Sequence, residues 1–255
     1  MISLTEAQVV AWMSPLIWPF LRVLAVFTSA PIFSSRAFPV RARIGLALLI
    51  AIAAQPSLSG QPVISITGPE AFGAVAQQLG IGLAIGFTVR LVFSAVELAG
   101  EVVGFQMGLN FAAFFNPSLN TQSSAVASFF GQMSTFLFIV MNGHLLVLMA
   151  IIKSFDAFPV DQNFLEAVRQ LKLYSLGADL FASGLWIALP MLGMMMFVNL
   201  GLGIVSRVAP QMNIYAIGFP ITLTVGLIGI TVTLPMLDQP LMALMERAID
   251  LFLKR

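Results

Sequence analysis

Residues 71–96 decide the fold: they read AFGAVAQQLGIGLAIGFTVRLVFSAV and carry a single ionisable side chain, Arg90. A transmembrane helix needs about 20 predominantly apolar residues, so this stretch is long enough to cross a bilayer. Comparable apolar stretches occupy most of the remaining chain, at residues 8–33, 44–64, 125–152, 180–205 and 214–237. The sequence therefore predicts an all-α, multi-pass membrane protein built of hydrophobic helical hairpins, with about six apolar helices.

The composition supports the same class. Hydrophobic residues make up 59% of the 255 residues and charged residues only 9%, against roughly 25% charged in soluble domains. Such a chain cannot place its apolar surface in water, which excludes a soluble enzyme, a nucleic-acid-binding protein and a disordered chain. The net charge of +1 points to no polyanionic partner, and the absence of cysteine excludes disulfides and thiolate metal sites.

A seventh apolar segment, residues 97–115, differs from the others. It contains Glu97 and Glu101 and runs into the polar stretch 116–124, NPSLNTQSS. We therefore expect a helix that turns into a loop. Glycines four residues apart predict close packing of this helix against a neighbour; they are Gly100, Gly104 and Gly108, and Gly82 and Gly86 extend the pattern towards the N-terminus.

Five ionisable residues lie in or beside the apolar helices: Arg22, Arg90, Glu97, Glu101 and Arg207. An ionised side chain at the centre of a membrane helix costs about 2.5 to 3.5 kcal/mol on insertion scales, so each needs partners. At 100° per residue, Arg90, Glu97 and Glu101 fall within about 40° of one another, on one face of a continuous helix. Two interpretations stay open for these charges: a buried ionic network between helices or subunits, and the lining of a wet conduit.

Bulky aromatic residues lie on the loop that follows the glycines. Phe111, Phe114 and Phe115 precede Asn116 and Pro117. Irregular backbone at membrane depth is tolerated only inside protein or beside water. The loop is therefore either a plug over a pore or a re-entrant segment that only packs.

No arrangement of residues points to catalysis. The sequence lacks a nucleophile with a base, a carboxylate pair with substrate geometry and a metal-ligand spacing. We expect no enzymatic activity, no cofactor and no metal.

The sequence also predicts two amphipathic helices, at residues 161–172 and 241–255. Four methionines, Met191 and Met194 to Met196, indicate core filling or a deformable seal.

Residues 189–220, LPMLGMMMFVNLGLGIVSRVAPQMNIYAIGFP, resemble the signature of the FliR family of flagellar export-gate proteins and their type III secretion counterparts. Residues 30–34, APIFS, and 38–48, FPVRARIGLAL, are similar to the first helical hairpin of that family. The loop from Phe111 to Pro117 is similar to its plug. The resemblance covers nearly the whole chain.

The resemblance implies an architecture and partners. Residues 1–124 would form FliP-like helical hairpins with a plug loop at about 106–124. Residues 125–255 would hold the remaining helices, including a FliQ-like C-terminal hairpin. The chain would assemble with FliP-type and FliQ-type subunits into a hetero-oligomer in the bacterial inner membrane, at the flagellar basal body. FlhB-type and FlhA-type export proteins, unfolded secreted cargo and membrane lipid are the other implied partners, and nucleic acid is not one.

The resemblance also implies roles for particular residues. The three loop phenylalanines would close the conduit to ions, and a polar helix break formed by Arg207, Pro210, Gln211 and Asn213 would lie at a subunit contact. The function expected is a subunit of the flagellar type III protein-export gate, which passes unfolded flagellar proteins across the inner membrane. The alternative is a polytopic secondary transporter whose membrane charges bind substrate or protons. A purely structural assembly factor would differ in showing no conductance after removal of the loop.

Overall fold

The computed structural model describes residues 6–55, 68, 70–109, 124–160, 169, 175–211 and 213–253. Within these ranges every regular element is helical, which confirms the all-α class. The helices are α1 (Glu6–Ser29), α2 (Val40–Ala54), α3 (Glu70–Gln106), α4 (Ala125–Val140), α5 (Gly143–Ala157), α6 (Ser175–Val208), α7 (Ile214–Thr233) and α8 (Asp238–Asp250), with a 3-10 turn at Leu234–Met236.

The helix count differs from the six apolar helices and one plug-bearing helix of the sequence prediction. The predicted boundary between segments 71–96 and 97–115 is absent, because one continuous helix, α3, runs through it to Gln106 and passes into a turn. The predicted segment 125–152 is instead broken after Met141. Four helices in the described ranges are long and apolar enough to cross a membrane, or five if α4 and α5 form one broken span.

The break between α4 and α5 has a local cause. Asn142 adopts the left-handed conformation with φ of 57°, and no other non-glycine residue in the described ranges has a positive φ. Asparagine tolerates this conformation better than most residues, and Gly143 follows it directly. The dipeptide Asn142–Gly143 is a turn signal that accounts for the end of one helix and the start of the next.

The chain divides into two compact units, each assembled from separate stretches of sequence. Unit 1 comprises Met1–Leu91, Asn142–Gly177 and Met245–Arg255, and unit 2 comprises Val92–Met141 and Ala178–Leu244. The division into residues 1–124 and 125–255 concerns likeness to other subunits rather than compactness, and it stays a prediction.

In unit 1, α1 packs on α2 and on the first half of α3. The α1–α3 contact is close because α3 carries glycine there. A Cβ atom added to Gly82 would lie 2.5 Å from the backbone oxygen of Arg22, and one added to Gly86 would overlap Ser29. Trp18, Phe27 and other large side chains of α1 are buried around this contact.

In unit 2, glycines again set the approach of the helices. A Cβ atom on Gly100 of α3 would lie 2.8 Å from the Cα atom of Ala127 on α4. On α7, Gly229 faces Met191 and Met194 of α6. Met191 and Met195 are buried whereas Met196 is 65% exposed, so core filling describes Met191 and Met195 and not Met196.

The predicted C-terminal amphipathic helix is present as α8. Leu241, Met245 and Ala248 are buried along one side, and Glu246 and Arg247 are exposed on another. The other predicted amphipathic helix, at 161–172, falls outside the described residues except for Arg169, which is helical and exposed.

Candidate functional site

The residues predicted to form the plug, Phe111, Phe114, Phe115, Asn116 and Pro117, lie outside the described residues. The two flanks of the segment are described, however, up to Leu109 on one side and from Ser124 on the other. Both flanks belong to unit 2. The geometry that can be assigned to this site is therefore the way in which its ends are held.

The chain enters the segment through a tight turn after α3. The backbone N–H of Gly108 donates to the carbonyl oxygen of Phe105 at 3.0 Å, and that of Leu109 donates to Gly104 at 3.1 Å. This pair of bonds is a Schellman motif, and Gly108 supplies its left-handed residue with φ of +78°. Gly108 thus ends the helix, which corrects the helix-packing role predicted for it, since backbone conformation and not close approach requires glycine there.

The turn is also fixed from the side by α7. Met107 is fully buried, and the hydroxyl of Thr222 is shared between the carbonyl oxygens of Met107, at 3.3 Å, and Phe219, at 3.0 Å. Gly226 makes room for the methionine side chain, because a Cβ atom there would lie 2.5 Å from the Met107 Cγ atom. The end of α3 is therefore held by side-chain packing and by a hydrogen bond to its backbone.

The chain leaves the segment at Ser124, which caps α4. The Ser124 hydroxyl accepts a hydrogen bond from the backbone N–H of Ala127 at 3.1 Å, the usual contact of an N-cap serine. The Ser124 backbone N–H donates in turn to the Oε2 atom of Glu101 on α3 at 3.1 Å. A carboxylate near a helix N-terminus also interacts favourably with the helix dipole. Glu101 therefore ties the end of the predicted plug segment to the helix from which the segment began.

Glu97 meets the same helix one turn earlier on α3. A Cβ atom added to Gly131 of α4 would lie 2.8 Å from the Glu97 Oε1 atom. Both carboxylates thus contact α4, as expected for charges that meet another helix. Arg90 and Glu97 are nevertheless exposed and Glu101 is half-buried, so only Arg22 among the five predicted charges is fully buried within the single chain.

Arg22 is the centre of a polar cluster inside unit 1. Its Nε atom donates to Gln78 Oε1 at 2.8 Å, Nη1 donates to Ser154 Oγ at 2.9 Å, and Nη2 donates to the Phe158 carbonyl oxygen at 2.8 Å. The guanidinium also lies over the ring of Phe155, 3.6 Å from its centroid. These partners come from α3, from α5 and from the residue that follows α5, so one side chain of α1 links three helices.

The cluster solvates the cation with neutral groups. The amide of Gln78 donates to Gln77 at 2.9 Å, and the Ser154 hydroxyl donates to the Ile151 carbonyl oxygen at 2.6 Å. A buried cation is tolerated when its donors are satisfied, and an aromatic face adds further stabilisation. The sequence identifies Arg22 as a charge in an apolar helix but does not identify its partners. Gln77, Gln78 and Ser154 are recognisable in the sequence only as polar residues in apolar helices.

The predicted polar break between α6 and α7 is present. Helix α6 ends at Val208, and Asn213 starts α7 by accepting a hydrogen bond from the Ala216 N–H at 3.4 Å. The four residues predicted to lie there at a subunit contact are all exposed; they are Arg207, Pro210, Gln211 and Asn213. Their exposure leaves them available to another chain, and the contact itself stays a prediction.

Helix α6 has an extensive exposed apolar surface. Only 17% of Leu176–Val208 is buried, compared with 61% of α3. Trp186, Phe197 and Val208 are each at least 75% exposed. Apolar surface of this extent is covered by lipid or by another protein.

Comparison with known proteins agrees with the resemblance. The model of the family described as bacterial export proteins, family 1, matches residues 13–248. The flagellar biosynthetic protein FliR of Escherichia coli is 38% identical over 239 residues, which cover 93% of this chain and 90% of that protein. FliR of Pectobacterium carotovorum is 36% identical over 98% of this chain and 96% of its own length. FliR of Bacillus subtilis is 29% identical over 84% of this chain and 83% of its own. With its long apolar helices, this chain is a membrane protein of flagellum biogenesis and protein export, and it belongs to the FliR family.

Proposed function

We propose that this chain is a non-enzymatic subunit of the flagellar type III export gate, located in the inner membrane at the basal body. It assembles with FliP-type and FliQ-type subunits around a conduit for unfolded flagellar proteins, next to FlhA-type and FlhB-type proteins. Family membership supports a role in flagellar export. It also favours flagellar export over the alternative of a secondary transporter, because the relatives carry a flagellar biosynthetic name.

The observation that carries the gating part of the proposal is the anchoring of residues 110–123 at both ends. Leu109 is fixed by the turn that ends α3, and Ser124 is fixed by Glu101. At about 3.5 Å per residue, a segment of this length tethered at both ends extends at most about 25 Å from its anchors. A segment with this reach is long enough to cover a narrow conduit.

The proposed mechanism follows from this tether. At rest, Phe111, Phe114 and Phe115 fill the conduit with apolar volume, which excludes water and ions. A secreted chain displaces them, and the two anchors return the segment once the chain has passed. The anchors therefore determine where the aromatic residues go, and the aromatic residues determine what is excluded.

The exposed apolar face of α6 supports assembly with other chains. A membrane chain with this much uncovered apolar surface is suited to contacts along the length of a helix. We place a further contact at the break between α6 and α7, where Arg207 is exposed. Arg207→Ala should lower recovery of the intact complex relative to Arg207→Lys, and undiminished recovery would count against this contact.

The gating test compares two variants of the loop. One lacks Phe111 to Phe115, and the other carries leucine at positions 111, 114 and 115, which retains most of the apolar volume. Ion leakage is measured across membranes that contain the assembled complex. The deletion should leak strongly and the leucine variant little, because exclusion depends on apolar volume. Unchanged leakage from an assembled deletion complex would contradict the gating role.

The assembly test is native mass spectrometry of the tagged chain, extracted mildly from membranes of its own host. Recovery in a large complex with several FliP-type and FliQ-type subunits is the expected result. Recovery only as a monomer or a homodimer would overturn the proposed assembly. The assembly test comes first, because leakage through the loop is measured on the assembled complex.

A further inference from the structure

Three arginines lie together in sequence where α1 turns into α2: Arg36, Arg41 and Arg43. No aspartate or glutamate occurs between residues 30 and 55, so this stretch carries +3 in a chain whose total net charge is +1. Arg36 and Arg41 are exposed, and Arg43 is half-buried. The turn is therefore a local concentration of positive charge at the end of an apolar hairpin.

The protein itself does not neutralise this charge within the described residues. In the part of the chain that the structure describes, Arg43 forms a single hydrogen bond, a long one of 3.5 Å from Nη2 to the Phe38 carbonyl oxygen, and its buried Nε atom has no partner there. Arg36 and Arg41 form no ion pair in the part of the chain that the structure describes. Helix α2 also begins without a side-chain cap and without an acidic residue in its first turn. The exposed guanidinium groups of Arg36 and Arg41 are thus available to an external anion.

An exposed apolar strip starts at this charge and runs along α2. At 100° per residue, Ile44, Leu48 and Ile52 lie within about 80° of helix surface together with Arg41. All three apolar side chains are more than 40% exposed, whereas Ala47 and Ala51 face inwards and are fully buried. Gly45 adds open space beside the strip, because a Cβ atom there would meet nothing within 4 Å.

We propose that this surface, formed by the arginine turn and the apolar strip of α2, binds an anionic glycerophospholipid. The phosphate binds the exposed guanidinium of Arg41, which shares the helix face of the strip and whose planar N–H pair matches phosphate oxygens. Arg36 and Arg43 add positive charge at the same turn. One acyl chain lies along Ile44, Leu48 and Ile52. The proposal rests on charge and shape at the α1–α2 hairpin and does not depend on the function of the export gate.

The dimensions favour a lipid over an acidic protein segment. From Arg41 to Ile52 the helix rises about 16 Å at 1.5 Å per residue. The hydrocarbon core of a bilayer is about 30 Å thick, so one leaflet is about 15 Å. The cationic group and the far end of the strip are therefore separated by the length of one acyl leaflet, with charge only at the end where a headgroup belongs.

The first experiment measures lipid retention by native mass spectrometry of the full chain, purified with its complex. Phosphatidylglycerol and phosphatidylcholine with identical acyl chains are titrated separately. The wild type should retain phosphatidylglycerol in preference. Arg41→Gln should weaken this binding about fivefold, the effect of one arginine near an anionic headgroup. Arg247→Gln removes one exposed arginine from α8 and should leave retention unchanged.

The second experiment identifies the occupant in the cell, with a photo-crosslinking amino acid in place of Gly45. A phospholipid adduct, lost when Arg36, Arg41 and Arg43 are all replaced by glutamine, is the expected result. An adduct with another protein subunit would overturn the proposal and assign the surface to assembly. Equal retention of the two lipids by the wild type would also overturn it, and that comparison requires no variant to fold.

Discussion

The guanidinium carbon of Arg22 lies 3.6 Å from the ring centroid of Phe155, and both side chains are buried. The planar group uses its face for the ring and its edges for three hydrogen bonds to neutral acceptors. Lysine cannot reproduce this arrangement, because an ammonium has no flat face and no fork of donors. The shape of Arg22, more than its charge, links the helices of unit 1.

The first prediction concerns that shape. Arg22→Lys keeps the charge but leaves at least one buried acceptor without a donor, which costs about 1 to 3 kcal/mol. We expect a lower thermal stability of the detergent-solubilised chain and less protein in the membrane. Arg90→Lys is the matched control, since Arg90 is exposed. Equal melting temperatures for the two variants would contradict the role assigned to Arg22.

The second prediction separates two effects of glycine in a helix. Gly82→Ala places a Cβ atom 2.5 Å from the backbone oxygen of Arg22 and 2.6 Å from the Ala25 Cβ atom. Helices α1 and α3 must then move apart, at a cost of about 1 to 3 kcal/mol typical of overpacking. Gly201→Ala on α6 meets nothing within 4 Å. It should be neutral or stabilising, because alanine favours helix by about 1 kcal/mol over glycine.

Thermal melts of the Gly82→Ala and Gly201→Ala variants in the same detergent check this pair. Gly82→Ala should lower the melting temperature, whereas Gly201→Ala should raise it or leave it unchanged. A destabilisation of the same size at both positions would show that helix approach is not what requires glycine at position 82.

The sequence contains enough to predict the class of fold and several close contacts between helices. Apolar stretches define the helices, and glycine at positions 82, 86 and 100 identifies where a neighbour comes near, since a Cβ atom there meets another helix. The partners of Arg22 cannot be predicted in this way. Ser154 is 132 residues away along the chain, and no local pattern selects it over other polar residues in apolar helices.

Two local features differ between the sequence prediction and the structure, for identifiable reasons. Hydrophobicity alone predicts one helix over 125–152, whereas the turn signal at Asn142–Gly143 breaks the helix there in the structure. Gly108 continues the four-residue spacing of Gly100 and Gly104, which predicts packing. Its positive φ instead ends α3, and spacing alone does not distinguish the last packing glycine from a terminating one.

The third prediction tests that terminating role. Gly108→Ala has room for its methyl group, since the nearest atom, Phe219 Cδ2, would be 3.6 Å away. The effect is therefore conformational, and a residue other than glycine in the left-handed region costs about 1 to 3 kcal/mol. Gly108→Asn should be milder because asparagine is the other common residue at this position. Secretion of flagellar subunits should fall further with alanine than with asparagine, and the reverse order would contradict this explanation.

The fourth prediction concerns the other end of the predicted plug segment. Glu101→Ala removes the acceptor of the Ser124 backbone N–H, whereas Glu101→Gln retains a side-chain oxygen that can accept it. If the anchor acts through this hydrogen bond, ion leakage through the assembled complex rises with alanine and stays near the wild-type level with glutamine. If negative charge beside the N-terminus of α4 were the essential feature, both variants would leak equally.

The Ser124→Ala variant is the control: it keeps the backbone N–H and loses the hydroxyl cap, which weakens α4 by about 1 kcal/mol. Leakage from Glu101→Ala above that from Ser124→Ala would therefore assign the anchor to the tether between α3 and the segment, and the opposite order would assign it to the start of α4.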